Sequence, residues 1–166
     1  AIRHLGSGTL TIYNIGADAK IGNITSAGTV TVGYNNATSS NNNSGTRVGN
    51  EGAIGAITAN GNVTVYRNVA GGIIGDVTSE TGSVTIGQGN STTAGVKEYN
   101  INAGTIGSVS AGTSVSIYSG EVESGSVAAN GTITAGTSVT VGASAYLNHN
   151  DIGGINAGTT VNVYSA

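Results

Sequence analysis

The residue types that most often perform catalysis are few and scattered in this sequence. Its two histidines are His4, beside Arg3, and His149, two residues before Asp151. Neither histidine belongs to a recognisable motif that would supply a nucleophile for it to activate. We therefore expect no acid–base or nucleophilic site built on histidine.

The carboxylates give no better basis for catalysis or metal binding. Glycosidases use closely placed pairs of carboxyl groups, and calcium sites need several oxygen ligands. Only Glu121 and Glu123 form a close pair, and no third acidic ligand lies near them in the sequence. The carboxylates are spread along the chain: Asp18, Glu51, Asp76, Glu80, Glu98, Glu121, Glu123 and Asp151. We predict a protein that is not an enzyme, with no cofactor and no metal site.

Composition restricts the class of protein further. The 166 residues include 29 glycines but no Phe, Trp, Met, Pro or Cys, which is too little bulk for an ordinary globular core. Only 8% of the residues are charged, and the apolar residues are β-branched and regularly spaced, which disfavours disorder. The net charge of −3 and the lack of a basic run disfavour nucleic acid as a partner. No apolar stretch approaches the length of a membrane-spanning helix, so we expect the chain not to span a membrane.

Two short phrases recur along the chain. The first is a triplet of the Val-x-Val type, at residues 10–12, 30–32, 63–65, 84–86, 115–117, 139–141 and 161–163. The second is Ile-Gly-x-Ile or Ile-Gly-x-Val, upstream of most triplets, at residues 21–24, 54–57, 74–77, 106–109 and 152–155. Turns that contain glycine or asparagine separate the phrases, because these residues tolerate the backbone of a sharp corner. Each phrase predicts a short strand.

Short strands that recur with glycine-rich corners about every 20 to 33 residues are typical of a parallel β-solenoid. We predict an all-β single domain over residues 1–166, built of about six to seven coils. The main alternative is a hairpin-built sandwich, which would need two-residue Asn-Gly loops between neighbouring strands. In the solenoid, one valine of each triplet stacks inward on the next, about 4.8 Å away. This ladder is predicted to contain Val30, Val63, Val84, Val115, Val139 and Val161.

Tyrosine and glycine alternate directly after the triplets. The residues in that position are Tyr13, Gly33, Tyr66, Gly87, Tyr118, Gly142 and Tyr164. The alternation predicts pairs of coils over about residues 10–62, 63–114 and 115–160, with inserts at 35–45 and 88–97. We expect each ring to lie over the bare glycine backbone of a neighbouring coil. The alternative interpretation is a row of tyrosines that binds sugar rings by stacking.

Polar residues occupy the outward side of every triplet, as Thr29 and Thr31 do. Ice-binding solenoids present uniform Thr-x-Thr arrays, but Ser and Asn interrupt the columns here. We therefore expect an ordinary solvated β-surface and keep ice binding as a remote alternative.

Six Asn-x-Ser/Thr sequons occur, which is about the number expected by chance in a chain this rich in Asn, Ser and Thr. If the source glycosylates its proteins, the most accessible acceptors are the predicted loop residues Asn36, Asn42 and Asn90.

Three phrases carry a resemblance to known proteins. Residues 109–117 (VSAGTSVSI), 133–141 (ITAGTSVTV) and 155–163 (INAGTTVNV) resemble repeats of filamentous haemagglutinin-type bacterial adhesins, which form right-handed parallel β-helices on cell surfaces. The Gly-x-Ile spacing is also similar to that of bactofilins, which are polymerising β-helices. The resemblance implies a β-helix and a structural role, and it transfers no site residue.

The ends of the predicted solenoid suggest its function. Uncovered strand edges tend to pair with other strands, and no capping element is recognisable in the sequence. We predict axial assembly into a homopolymeric fibre through Leu10, Ile12, Tyr13, Val161, Val163 and Tyr164. The alternative is a surface adhesin or carbohydrate-binding segment whose partners are cell-surface glycans. The chain begins at Ala1 without a positively charged leader, which fits a mature chain located outside the cell or on its surface.

Overall fold

The computed structural model describes residues 1–13, 15–33, 50–66, 68, 71–87, 104–117, 129–142 and 151–164. These residues form strands and turns, and they include no helix that could cross a membrane. The strands are β1 (Ile2–His4), β2 (Thr9–Ile12), β3 (Lys20–Ile21), β4 (Ile24–Ser26), β5 (Thr29–Val32), β6 (Ala53–Ile54), β7 (Ile57–Ala59), β8 (Val63–Val65), β9 (Ile73–Ile74), β10 (Val77–Ser79), β11 (Val84–Ile86), β12 (Thr105–Ile106), β13 (Val109–Ala111), β14 (Val115–Ile117), β15 (Ala129–Ala135), β16 (Ser138–Val141), β17 (Asp151–Ala157) and β18 (Thr160–Val163).

The strands that carry the triplets form one seven-stranded sheet. Its order is β2-β5-β8-β11-β14-β16-β18, and its neighbours pair in parallel. Neighbours in this sheet are separated in the chain by other strands, so the chain passes once around the molecule between them. The prediction of a parallel β-solenoid is therefore confirmed, and the alternative of a hairpin-built sandwich is wrong.

The second sheet contains two rows of strands. The middle row runs β1-β4-β7-β10-β13-β15, and the short row runs β3-β6-β9-β12-β15. The long strand β15 belongs to both rows, and β17 pairs with it along most of its length. In the coils before β15, the first isoleucine of each Ile-Gly-x-Ile phrase lies in the short row and the last apolar residue lies in the middle row. The chain bends between them, after the glycine. A complete coil thus has a short-row strand, a middle-row strand and a strand of the seven-stranded sheet.

The core consists of aliphatic ladders that run along the solenoid axis. The predicted valine ladder is present in register from Val30 to Val161. Its inner members are buried, whereas Val161 on the last strand is exposed. The middle row supplies a second ladder, from Ile24 to Ile133. Burying a Val or Ile side chain contributes about 1.5–3 kcal/mol, so stacked coils stabilise the fold without large aromatic residues.

Corner glycines allow the coils to lie close together. A Cβ atom on Gly136 would collide with the carbonyl oxygen of Gly112, and one on Gly158 would collide with that of Gly136. Both contacts are at the turn between the middle row and the seven-stranded sheet. The high glycine content is therefore a requirement of the coil spacing.

The glycines that alternate with tyrosine have a backbone reason of their own. The φ angle is +83° at Gly33, +70° at Gly87 and +74° at Gly142. A residue with a Cβ adopts this left-handed region at a cost of about 1–2 kcal/mol. Cover of the bare backbone by tyrosine rings stays a prediction, and the φ angles give a second reason for glycine at these positions. The turn that the chain makes after β5, β11 and β16 also requires glycine.

Two buried asparagines lie among the aliphatic side chains. Nδ2 of Asn50 donates hydrogen bonds to Oδ1 of Asn68, at 2.9 Å, and to the carbonyl oxygen of Ile73, at 3.1 Å. Nδ2 of Asn68 donates to the carbonyl oxygen of Thr105, at 3.2 Å. Ile15, which pairs with Asn50 from the preceding coil, is apolar, and Oδ1 of Asn50 has no hydrogen-bond partner. The amides satisfy backbone groups at a corner where the regular ladder is interrupted.

Several predictions concern residues outside the described part of the chain. These are the inserts at 35–45 and 88–97, the acceptors Asn36, Asn42 and Asn90, and the residues Tyr118, Glu121, Glu123 and His149. The pairing of coils over residues 10–62, 63–114 and 115–160 stays an interpretation.

Candidate interaction surfaces

The residues predicted to mediate self-assembly lie at opposite ends of the seven-stranded sheet. Leu10, Ile12 and Tyr13 are on or directly after β2, and Val161, Val163 and Tyr164 are on or directly after β18. Six strand spacings, about 29 Å, separate the two groups. The structure therefore brings the members of each group together and keeps the two groups apart.

The two ends differ in how far their apolar side chains are exposed. On β18, Val161 and Val163 are each 49% exposed, although their ladder partners in β16 are fully buried. On β2, the side chains of Leu10 and Ile12 are partly buried. Tyr13, directly after β2, is 65% exposed. Of the two end strands of this sheet, β18 thus exposes the aliphatic side chains more fully.

The hydrogen-bond pattern shows which backbone groups face outward at the β18 end. Inward residues of a coil donate to the next coil, as Val84 N–H donates to the carbonyl oxygen of Ser114. Outward residues donate to the preceding coil, as Tyr164 N–H donates to the carbonyl oxygen of Val141. By this alternation, the N–H groups of Val161 and Val163 point away from β16, toward the position of a further coil.

The β2 end presents the complementary backbone groups. Its outward residues are Thr9 and Thr11, whose counterparts on later coils bond to the coil before them. The N–H and C=O groups of these two threonines therefore point away from β5. A β18 strand placed beside β2 in the register of the sheet would pair Val161 and Val163 with this edge.

The middle row also has two ends with matching patterns. β1 directs Ile2 and His4 inward, as Ile24 and Ser26 are directed in the next coil. At the other end, β17 places Ile155 in the same ladder. Residues 2–4 pair with β4 on one side, and β1 is the end of the row.

The short row begins one coil later than the others. Its first strand is β3, because no described strand precedes β1 in that row. The sequence agrees with this later start, because the first Ile-Gly-x-Ile phrase is at residues 21–24.

His4 is the polar residue at the end of the middle-row core. Its Nδ1 lies 2.9 Å from Oγ of Ser26, and that Oγ accepts a hydrogen bond from Gly28 N–H at 3.1 Å. A hydroxyl both donates and accepts, so Oγ of Ser26 serves both the backbone and the imidazole ring. Ser26 is only 4% exposed, so a substrate has no direct access to its hydroxyl. The pair ties the first coil to the second.

A groove of about 320 Å³ lies beside this pair, along the outer edge of the middle row. Its lining combines a cationic side chain at one end with a carboxylate at the other and hydroxyls and an amide between them: Arg3, His4, Leu5, Thr25, Ser26, Ala27, Thr58, Asn60 and Glu80. No cluster of three or more metal-ligating side chains occurs in the described ranges. The groove offers polar contacts, and the hydroxyl of Ser26 beside His4 is buried at its edge.

The outer side of the seven-stranded sheet forms a third surface, here called the hydroxyl face. It carries two columns of uncharged polar side chains in register, one residue of each column per coil. Its described members are Thr9, Thr11, Thr29, Thr31, Asn62, Thr64, Ser83, Thr85, Ser114, Ser116, Ser138, Thr140, Thr160 and Asn162. The columns confirm the outward placement of the Thr-x-Thr-like pairs.

Comparison with known proteins gives no further identification. No protein-family model, curated protein or solved structure matches this chain. The β-helical architecture that the resemblance implied is present, but neither the adhesins nor the bactofilins are confirmed as its family.

Proposed function

We propose that this protein is a non-enzymatic structural module that assembles head to tail into a fibre through the ends of its solenoid. The observation that carries the proposal is the exposed valine pair on β18, Val161 and Val163, beside a strand edge whose donors point outward. A further coil placed there buries both valines and pairs those donors. Another copy of the chain or a further coil of the same polypeptide would make the same contacts.

The two ends are complementary in backbone and in their aliphatic ladders, although the joint sets Tyr164 beside Tyr13, where the alternation would place a glycine. Val161 and Val163 continue the ladders of Leu10 and Ile12, while Asn162 continues the outward column of Thr11. All strands stay parallel in such a joint, so the contact is heterologous and does not close on itself. Repeated joints of this type produce an open fibre.

The proposal places the fibre outside the cell or on its surface, on the resemblance to adhesin repeats. A fibre built of stacked coils has an axial repeat set by the number of coils per copy. Seven coils at about 4.8 Å give a repeat of about 34 Å.

Concentration-dependent assembly tests the proposal. Purified chain should form thin fibres in negative-stain electron microscopy, and its sedimentation coefficient should rise with concentration. Fibre diffraction should show a meridional reflection at about 4.8 Å, because the strands run across the fibre axis. A chain that sediments as a monomer over the whole concentration range would contradict assembly by its ends. The adhesin or carbohydrate-binding module would then be the favoured function.

A further inference from the structure

The hydroxyl face is bordered along one side by tyrosines that recur on every second coil. Tyr13, Tyr66 and Tyr164 each follow a strand of the seven-stranded sheet at the same position. Tyr13 is 65% and Tyr164 is 40% exposed, and Tyr66 is partly exposed. The strand spacing places tyrosines of successive coil pairs about 9.6 Å apart along the axis.

The coils between the tyrosines have no side chain at that position. Gly33, Gly87 and Gly142 occupy it, and their amides donate to the preceding coil just as those of Tyr66 and Tyr164 do. The border of the face therefore alternates between an aromatic ring and bare backbone with a period of two coils. The backbone hydrogen bonds between coils set this period, so the tyrosines are held at fixed intervals along the axis.

The hydroxyl face is also uncharged over its described length. The charged residues of the described chain lie elsewhere: Arg3 on the outer side of the middle row, Lys20 in the short row, Asp18 and Glu51 in the turns before short-row strands, Asp76 and Glu80 at corners, and Asp151 at the start of β17. In a chain of net charge −3, a surface of about 29 Å without any charge selects a partner that is itself uncharged.

We propose that the hydroxyl face and its tyrosine border bind an extended, uncharged β-1,4-linked polysaccharide that lies along the solenoid axis. Such a chain turns over at each ring, so the same sugar face recurs at every second ring. One sugar ring advances by roughly the spacing of one coil, about 4.8 Å. Alternate rings of the glycan thus meet a tyrosine, and the rings between them meet a coil that has glycine there.

The chemistry of the face suits the hydroxyl groups of such a glycan. Threonine and serine hydroxyls both donate and accept hydrogen bonds, as sugar hydroxyls do, and aromatic rings pack against the apolar face of a pyranose. The rigid sheet holds these groups in place before binding, which lowers the entropy cost of recognition. This activity goes beyond fibre formation and needs only a single copy of the chain.

A binding assay on microcrystalline cellulose tests the proposal. The chain should be retained on cellulose, and soluble β-1,4-linked glucose oligosaccharides should release it. An α-linked dextran, whose rings do not repeat in this extended form, and the anionic polymer polygalacturonate should not release it. Retention that the anionic polymer abolishes, or that increasing salt abolishes, would overturn the proposal, because either result indicates a charge-driven contact.

Two matched substitutions locate the site. Thr64→Glu adds a charge to the hydroxyl face beside Tyr66, and Thr58→Glu adds the same charge to the outer side of the middle row in the same coil. Thr64→Glu should lower retention at least tenfold, and Thr58→Glu should leave it within twofold of the unaltered chain. Equal retention of the two variants would overturn the proposal.

The tyrosine border needs its own variant. Tyr66→Ala should weaken retention about five- to tenfold, whereas Tyr66→Phe should keep most of it, because stacking requires the ring and not the phenol hydroxyl. Circular dichroism of each variant separates a binding defect from a folding defect. A folded Tyr66→Ala chain with unchanged retention would exclude the tyrosines from the site. Measuring the same series in a chain that does not form fibres separates glycan binding from self-assembly.

Discussion

The side-chain amide of Asn50 donates a hydrogen bond to Oδ1 of Asn68, 2.9 Å away, in the interior of the solenoid. Both residues are fully buried, and their bonds cross from one coil to the next. The same Asn50 amide also binds the carbonyl oxygen of Ile73. At this pair, polar groups rather than aliphatic stacking hold neighbouring coils in register.

Replacing Asn50 by leucine should therefore destabilise the fold despite the similar size of the two side chains. Asn50→Leu removes the donor to Asn68 and to the Ile73 carbonyl, and a buried polar group that loses its partner costs about 1–3 kcal/mol. Urea denaturation followed by circular dichroism measures the change in the free energy of unfolding. Asn60→Leu, at an exposed corner residue, is the control and should change it by less than about 0.5 kcal/mol. Equal stability of the two variants would show that the amide pair contributes nothing.

The asparagine pair was not predictable from the repeats. The position of Asn50 is four residues before Ile54, whereas that of Asn68 is six residues before Ile74, so the two share no spacing with the phrase that follows. They adjoin irregular segments, where periodic patterns carry no information. The valine ladder, by contrast, was predictable because Val30, Val63 and their equivalents always precede a polar residue and a second apolar one. A period of two then fixes which side is buried.

The candidate surfaces were predictable to different degrees. Outward columns follow from strand alternation once the triplets are aligned, so the hydroxyl face required only the register. The contact of His4 with Ser26 could not be predicted in this way, because the first coil has no Ile-Gly-x-Ile phrase with which to align it. The left-handed backbone at Gly33 was also not predicted. Alternation with tyrosine suggested a side-chain reason for glycine, and the sequence carries no separate signal of φ.

Substitution of Gly87 tests the backbone reason for that alternation. At a φ of +70°, Gly87→Ala should lower the free energy of unfolding by about 1–2 kcal/mol. Gly154→Ala is the matched control, because a Cβ there would make only ordinary contacts, the nearest at 3.9 Å from Thr132 Cγ2. Thermal and urea denaturation of the two variants should separate them clearly. If Gly87→Ala were as stable as the control, the left-handed turn could not explain why glycine occupies this position.

Charge placed in the valine ladder tests the core assignment. Val115 is fully buried between Val84 and Val139, and no charged group lies in the ladder to pair with a new carboxylate. Val115→Asp should cost several kcal/mol and leave the chain unfolded in far-ultraviolet circular dichroism. Ser116→Asp, one residue later on the outward side, should fold normally. A folded Val115→Asp chain with an unchanged spectrum would show that this side of β14 does not face the core.

Proline at the open strand edge provides the sharpest test of assembly. Val163 N–H points away from β16, so Val163→Pro removes a donor to the next coil without breaking a bond inside the chain, a position at which edge strands tolerate proline. This variant should stay folded and lose fibre formation in electron microscopy and sedimentation.

The same change at Val141, the counterpart of Val163 on β16, is the control. The N–H of Val141 points toward β18, so Val141→Pro breaks an internal bond and should destabilise the fold by about 3 kcal/mol or more. A folded Val163→Pro chain that still forms fibres would show that β18 is not the contact strand. Loss of folding in Val163→Pro would instead show that its N–H already has a partner within the chain, in conflict with the donor pattern of the sheet.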